Sequence, residues 1–216
     1  MPYAQRKLLV QRRNLKSRVL VVTAIAIFAG TGASSQQDSS PSSAAIDIQL
    51  ATGCAAEQQT RQALQALLRK YDLQKYTFTR QVVIEQGAMN HSFPVLTLNV
   101  RFRDVPDNLL SSYVHEQIHW YLRNHNNQRL AAIRDLEEKY PDAPTAYPAG
   151  GGSKESTYGH LVTCYLEMQA DRELIGPQRT KRVIAQTPWY SWIWKTVVQD
   201  EPTIAAVVQA HDLAMP

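Results

Sequence analysis

Between residues 55 and 70, Leu64, Leu67 and Leu68 recur at helical spacing among Glu, Gln and Arg, which predicts an amphipathic helix. The period then changes. Thr77–Glu85 is rich in β-branched and aromatic residues, and Val95, Thr97 and Asn99 alternate with Leu96, Leu98 and Val100 in Val95–Phe102. Both segments read as strands, connected through residues 87–94. Pro106-Asp107 opens a second helix that runs to about Asn124, with Asp104 as its candidate N-cap. Residues 126–140 read as a further helical segment closed by Pro141. A long irregular stretch, 141–156, carries three prolines and three consecutive glycines, the mark of a lid, a binding loop or a disordered segment. A helix follows from about Thr157 to Ile175 and stops at Gly176-Pro177. Three of the four tryptophans, Trp189, Trp192 and Trp194, come next, as core or the wall of a groove, and a last helix covers about 203–213. One helix, two strands, then helices is an α+β order.

Composition divides the chain in two. Six of its 23 Lys and Arg fall in residues 1–33, which contain no acidic residue; the rest carries 17 basic against 19 acidic residues, about −2. The body therefore offers no basic face for nucleic acid, and no nucleic-acid partner is expected. Within residues 1–33 the basic stretch is followed by an apolar run at 19–29 and then Gly30-Thr31-Gly32-Ala33. That order reads as a signal peptide, with an N-terminal anchor that tethers the chain through residues 19–29 as the alternative. An exported protein, periplasmic or extracellular, is expected. Residues 34–45 are a Ser-rich linker, and the folded domain is expected over 46–216. Export permits a Cys54–Cys164 disulfide without requiring it.

The chemistry concentrates at His115-Glu116-Gln117-Ile118-His119, an HExxH on a predicted helix. Residues i and i+4 lie one turn apart on one face, so two imidazoles can point at one ion. The glutamate between them is placed to take a proton from bound water. Zinc suits such ligands and keeps a position open for water. With six histidines and nine glutamates in 216 residues, composition alone does not account for the pattern. The later helix carries His160, Cys164, Glu167 and Asp171 at i, i+4, i+7 and i+11, a narrow polar stripe between apolar sides.

These motifs resemble the zincin metallopeptidases. The resemblance implies a small sheet over the HExxH helix, with an edge strand, here Val95–Phe102, that binds substrate in extended form. Glu167 and Asp171 resemble the gluzincin branch, which implies Glu167 as third zinc ligand and Asp171 holding a ligand histidine from behind. Glu167 follows His119 by more residues than in the best-known members of that branch. A competing third ligand is His125, at the metzincin spacing, where that family needs glycine and this chain has Leu122. His160 is a candidate hydrogen-bond donor to the transition state, an alternative ligand, or a core histidine. Tyr158, Tyr190 and Tyr147 are further candidates for the donor role. His91 and His211 stand alone, and the Lys and Arg of 129–139 read as a solvated helix face. The expectation is a zinc-dependent hydrolase of peptide or amide bonds, with Glu116 as general base and a peptide or protein as substrate. A zinc-binding scaffold or interaction protein without turnover, a membrane-tethered interaction protein in which the HExxH is accidental, and an amidase of cell-wall peptides are the alternatives.

Overall fold

The computed structural model describes residues 45–215, so the expected export signal, its alternative as a tether through residues 19–29, and nearly all of the linker lie outside the described residues. Those residues form three short strands, β1 (Asp47–Leu50), β2 (Gln81–Ile84) and β3 (Leu96–Leu98). Seven α-helices accompany them: α1 (Ala55–Lys70), α2 (Pro106–Asn124), α3 (Asn126–Lys139), α4 (Lys154–Ile175), α5 (Pro177–Gln186), α6 (Ser191–Gln199) and α7 (Glu201–Ala210). The class is α+β and mostly helical. The sheet is parallel throughout, in the order β1-β2-β3, with Asp47 opposite Gln81 and Val82 opposite Leu96. Among the described residues no helix is long and apolar enough to cross a membrane.

Strand β2 is shorter than its sequence predicts because the backbone before it is claimed elsewhere. Gln117 Oε1 accepts from Phe78 N (2.7 Å) and Thr79 N (2.8 Å), and Gln117 Nε2 donates to Thr79 O (2.8 Å). A side chain of α2 thus does for residues 78–79 what a neighbouring strand would do, and satisfies peptide groups that would otherwise be left without partners. Gln117 is itself fully buried. Its amide therefore fixes the HExxH helix against the sheet.

Strand β3 lies at the sheet edge, but that edge is not bare. His91 and Thr97 exchange two backbone bonds, His91 N to Thr97 O (3.1 Å) and Thr97 N to His91 O (2.8 Å), and Asn99 N donates to Asn90 Oδ1 (2.8 Å). The expected role of Val95–Phe102 as an open strand for substrate is corrected accordingly: the chain's own residues 90–91 occupy the pairing groups.

Helix α2 starts with Pro106 at its first position, where a missing N–H costs nothing. The capping position is held by Val105, not Asp104, which pairs with Arg103 instead. Arg179 of α5 grips Asp107 in the first turn of α2 with two hydrogen bonds. Helix α4 begins three residues earlier than expected, because Ser153 Oγ accepts from Ser156 N (3.1 Å) and caps it. It ends at Gly176, whose φ of 81° suits glycine. Helix α4 packs against α2, α3, α5, α6 and α7, and its Leu161, Val162, Leu166 and Met168 are buried in the core. The juxtaposition of α2 and α4 positions the site.

Candidate metal centre

His115 and His119 stand one turn apart on α2, as their spacing requires, and their Nε2 atoms lie 3.2 Å apart. Helix α4 brings His160 to the same point: the His119 and His160 ring centroids are 5.0 Å apart, those of His115 and His160 5.6 Å. One ring nitrogen from each of the three histidines lies within 4.8 Å of the other two. The outer nitrogens are already committed. His115 Nδ1 bonds Glu167 Oε2 (2.7 Å), and His160 Nδ1 bonds the Ser156 carbonyl (2.7 Å). Both acceptors take a proton from Nδ1, which leaves Nε2 of His115 and of His160 as the nitrogen available to an ion.

Two Nε2 atoms 3.2 Å apart have a proton or a cation between them. Two nitrogens bound to one tetrahedral zinc at 2.0–2.1 Å are about 3.3 Å apart, so the observed separation fits a shared ion. Burial, reinforced by the neighbouring imidazoles, holds His119 well below the ordinary range. Burial with the nearby His115 brings His160 down to about 3. Both are neutral donors at neutral pH. Burial also opposes charge on His115, but the Glu167 carboxylate outweighs it and pushes His115 up to about 9.

Glu167, expected as third ligand, thus reaches His115 from the side away from His119. It forms a second grouping with His115 and Cys164. Behind it, Ser111 Oγ lies 2.6 Å from Glu167 Oε1 and 2.7 Å from Asp171 Oδ2. One hydroxyl proton cannot serve two carboxylates. Burial, with the Glu167 carboxylate nearby, pushes the Asp171 carboxyl well up, which makes Asp171 the member that takes the second proton. The orienting role expected of Asp171 is therefore exercised through Ser111 and Glu167.

His125 takes no part in the group. Helix α2 runs on through Leu122, and His125 Nδ1 bonds the Tyr121 carbonyl (2.9 Å) while its ring packs on Tyr121 at 4.3 Å. Without the sharp turn that glycine allows, the chain cannot fold His125 back toward His119. Tyr158 is likewise turned away; its hydroxyl donates to the Tyr140 carbonyl (2.6 Å). Cys54 and Cys164 are both free, Cys54 bonding Gln86 and Cys164 buried beside the site, so the permitted disulfide is not formed.

Glu116 is 5% exposed, and Ser92 Oγ donates to its Oε2 (2.5 Å). Burial raises its pKa, against the opposing pull of His115 and Ser92. Glu116 and His115 open onto a cavity of about 290 Å³ whose wall includes Tyr147, Trp189, Tyr190 and Trp194. Tyr190 lies over the histidines, its ring centroid 4.4 Å from that of His160, and its hydroxyl is 3.3 Å from that of Tyr147. It holds φ 60° and ψ 36°, a left-handed conformation that a tyrosine adopts only when its surroundings impose it. The 141–152 segment supplies that constraint: the carbonyls of Pro148 and Ala149 accept from Ser191 N (3.0 Å) and Trp192 N (3.2 Å). Gly152, at φ 88°, lies under the Tyr147 ring, where a Cβ would come within 2.8 Å of it. The Pro/Gly-rich stretch is thus a folded wall of the cavity.

Ser92 and Ser111 were not singled out from the sequence. Ser111 was within reach, four residues before His115 on the same helical face. Ser92 offers no such signal, because only the tertiary fold carries residues 91–92 to α2. Compared with protein-family models, with curated proteins and with solved structures, the chain matches none.

Proposed function

We propose that the chain is an exported, zinc-dependent hydrolase of peptide or amide bonds, with a zincin-like active-site helix and zinc held by His115, His119 and His160. The observation that carries this reading is the convergence of three imidazoles within 4.8 Å, beside a buried glutamate that opens onto a cavity. Glu167 acts from behind His115, fixing its ring and its tautomer. The inference of export rests on residues 1–33 alone.

Zinc held by His115, His119 and His160 would polarise the scissile carbonyl and lower the pKa of water. Glu116 takes the proton of the attacking water with the carboxylate oxygen that Ser92 leaves free, and delivers it to the leaving amine. Its raised pKa brings it toward the range in which a carboxylate both accepts and returns a proton. Tyr190 takes the donor role first expected for His160. Burial and the Tyr147 contact raise its pKa, so the phenol stays protonated and donates to the oxyanion. The open cavity beside Glu116 favours turnover over a purely structural metal site. A peptide or protein is the expected substrate, and no nucleic acid.

The test is the zinc content of the purified protein after chelation and reloading, followed by hydrolysis of a quenched-fluorophore peptide pool. Wild type is expected to hold one equivalent and to cleave. Glu116→Gln is expected to keep the zinc and lose activity by about 10²–10⁴-fold. Wild type without zinc, or Glu116→Gln with unchanged turnover, refutes the proposal.

A further inference from the structure

Besides the groups already assigned, the cavity wall carries hydrogen-bond donors that the protein leaves unused. Asn108 is 3% exposed and lines the cavity, and among the described residues its amide has no hydrogen-bond partner. Arg101 is the one Lys or Arg among the described residues of the lining. Its guanidinium lies over the Trp189 ring, 5.0 Å from the centroid, and forms no ion pair among the described residues. An amide that opens onto a cavity without a protein partner is met there by water or by a ligand. A guanidinium stacked on an indole keeps its N–H edge free for a planar anion.

The acidic groups of the same lining are engaged. Glu167 is held by His115 and Ser111, and Glu116 by Ser92. Asn108 can donate as well as accept, and the Arg101 cation selects a negative acceptor. Asn108, Ser112 and Glu116 follow one another at four-residue steps on α2, on one face of the helix, and all three line the cavity. Eight residues of helix separate Asn108 from Glu116 by about 12 Å, the length of three to four residues of extended peptide.

We infer that this cavity is a subsite for a substrate carboxylate, held by Arg101 and Asn108 within about four residues of the bond cleaved. The inference rests on the reading of the histidines and Glu116 as the reacting centre. The carboxylate comes either from the free C-terminus of a short peptide or from an acidic side chain.

The test is a titration of full-length Glu116→Gln protein, which removes turnover, followed by tryptophan fluorescence. The probes are N-acetyl-penta-alanine as free acid, its C-terminal amide, and the amide with a central glutamate or glutamine. At least one carboxylate-bearing peptide is expected to bind about tenfold tighter than its neutral counterpart. That preference is expected to fall below about twofold when Arg101→Ala or Asn108→Asp is added, with an unchanged far-ultraviolet spectrum. Free acid over amide identifies a terminal carboxylate; glutamate over glutamine identifies a side chain. Acid and neutral peptides that bind alike, or a preference that survives Arg101→Ala, overturn the subsite. Zinc content and wild-type cleavage are measured separately. A lost metal with an intact carboxylate preference sinks the hydrolase reading and not the subsite, and the reverse result does the opposite.

Discussion

Replacing Gln117 with methionine removes four hydrogen bonds and almost no volume. The amide serves Phe78 N, Thr79 N, Thr79 O and the Tyr113 hydroxyl, at 2.7–2.9 Å. Methionine matches its length, so the cavity contribution is small and the loss is polar. Each buried backbone group left without a partner costs about 1–3 kcal/mol. Residues 78–79 are only half-buried, so water restores part of that. A net loss of about 3–5 kcal/mol follows from three such groups. For a domain of this size each kcal/mol moves the midpoint by about 2–4 °C, so Tm is expected to fall by about 6–20 °C. Thermal melts followed by circular dichroism, with urea unfolding for the free energy, read this directly. A Tm within about 2 °C of wild type would refute the claim that Gln117 replaces a strand as the partner of residues 78–79. Urea and heat should agree, since the substitution alters neither the core volume nor a titrating group.

Asp107 gives a pH signature. The Arg179 guanidinium lowers its pKa in the folded protein. The pair therefore stabilises the fold fully above about pH 4, and the contribution is lost as pH falls through the lower folded value. Both side chains are partly exposed, so Asp107→Asn is expected to cost about 1 kcal/mol at pH 7 and progressively less as pH falls below about 4, as pH-dependent urea unfolding would reveal. Tyr190→Phe removes only the phenol and is expected to lower kcat by about 10–100-fold with little change in KM; a loss confined to KM would remove Tyr190 from the transition state. Ser111→Ala leaves Glu167 and Asp171 facing each other without the hydroxyl between them, and is expected to weaken zinc about tenfold in a competition titration.

The elements that the sequence identified are those whose signals are local. Helix α1 needs only its leucine spacing, and α2 its proline start and apolar face, and both appear at the predicted bounds. What escaped is set by distant partners. Strand β1 has four residues that alternate between exposed and half-buried, so no fully apolar face marks it. Helix α5 is only ten residues long and begins directly behind the Gly176-Pro177 stop of α4, and α6 lies in a tryptophan-rich run that reads equally well as loop or core. The extent of β2 depends on a glutamine 38 residues away.

The third donor to the metal shows the same limit at the scale of one helix. His160, Cys164, Glu167 and Asp171 share a stripe on α4, so periodicity establishes that all four face α2 but not which of them arrives level with His115 and His119. That depends on how far α4 is slid along α2, a displacement of 5.4 Å for each turn. In the structure the slide brings His160 to the Nε2 side of His115 and Glu167, two turns on, to its Nδ1 side. The two roles separate in a metal titration. Loss of a ligand leaves two imidazoles and removes tight binding, whereas loss of an orienting carboxylate costs about 10–100-fold in affinity. His160→Ala is therefore expected to abolish stoichiometric zinc, Glu167→Gln to weaken it within that range, and His125→Ala to leave it unchanged. Full zinc in His160→Ala together with none in Glu167→Gln would mean that α4 sits in the other register and that Glu167 is the ligand.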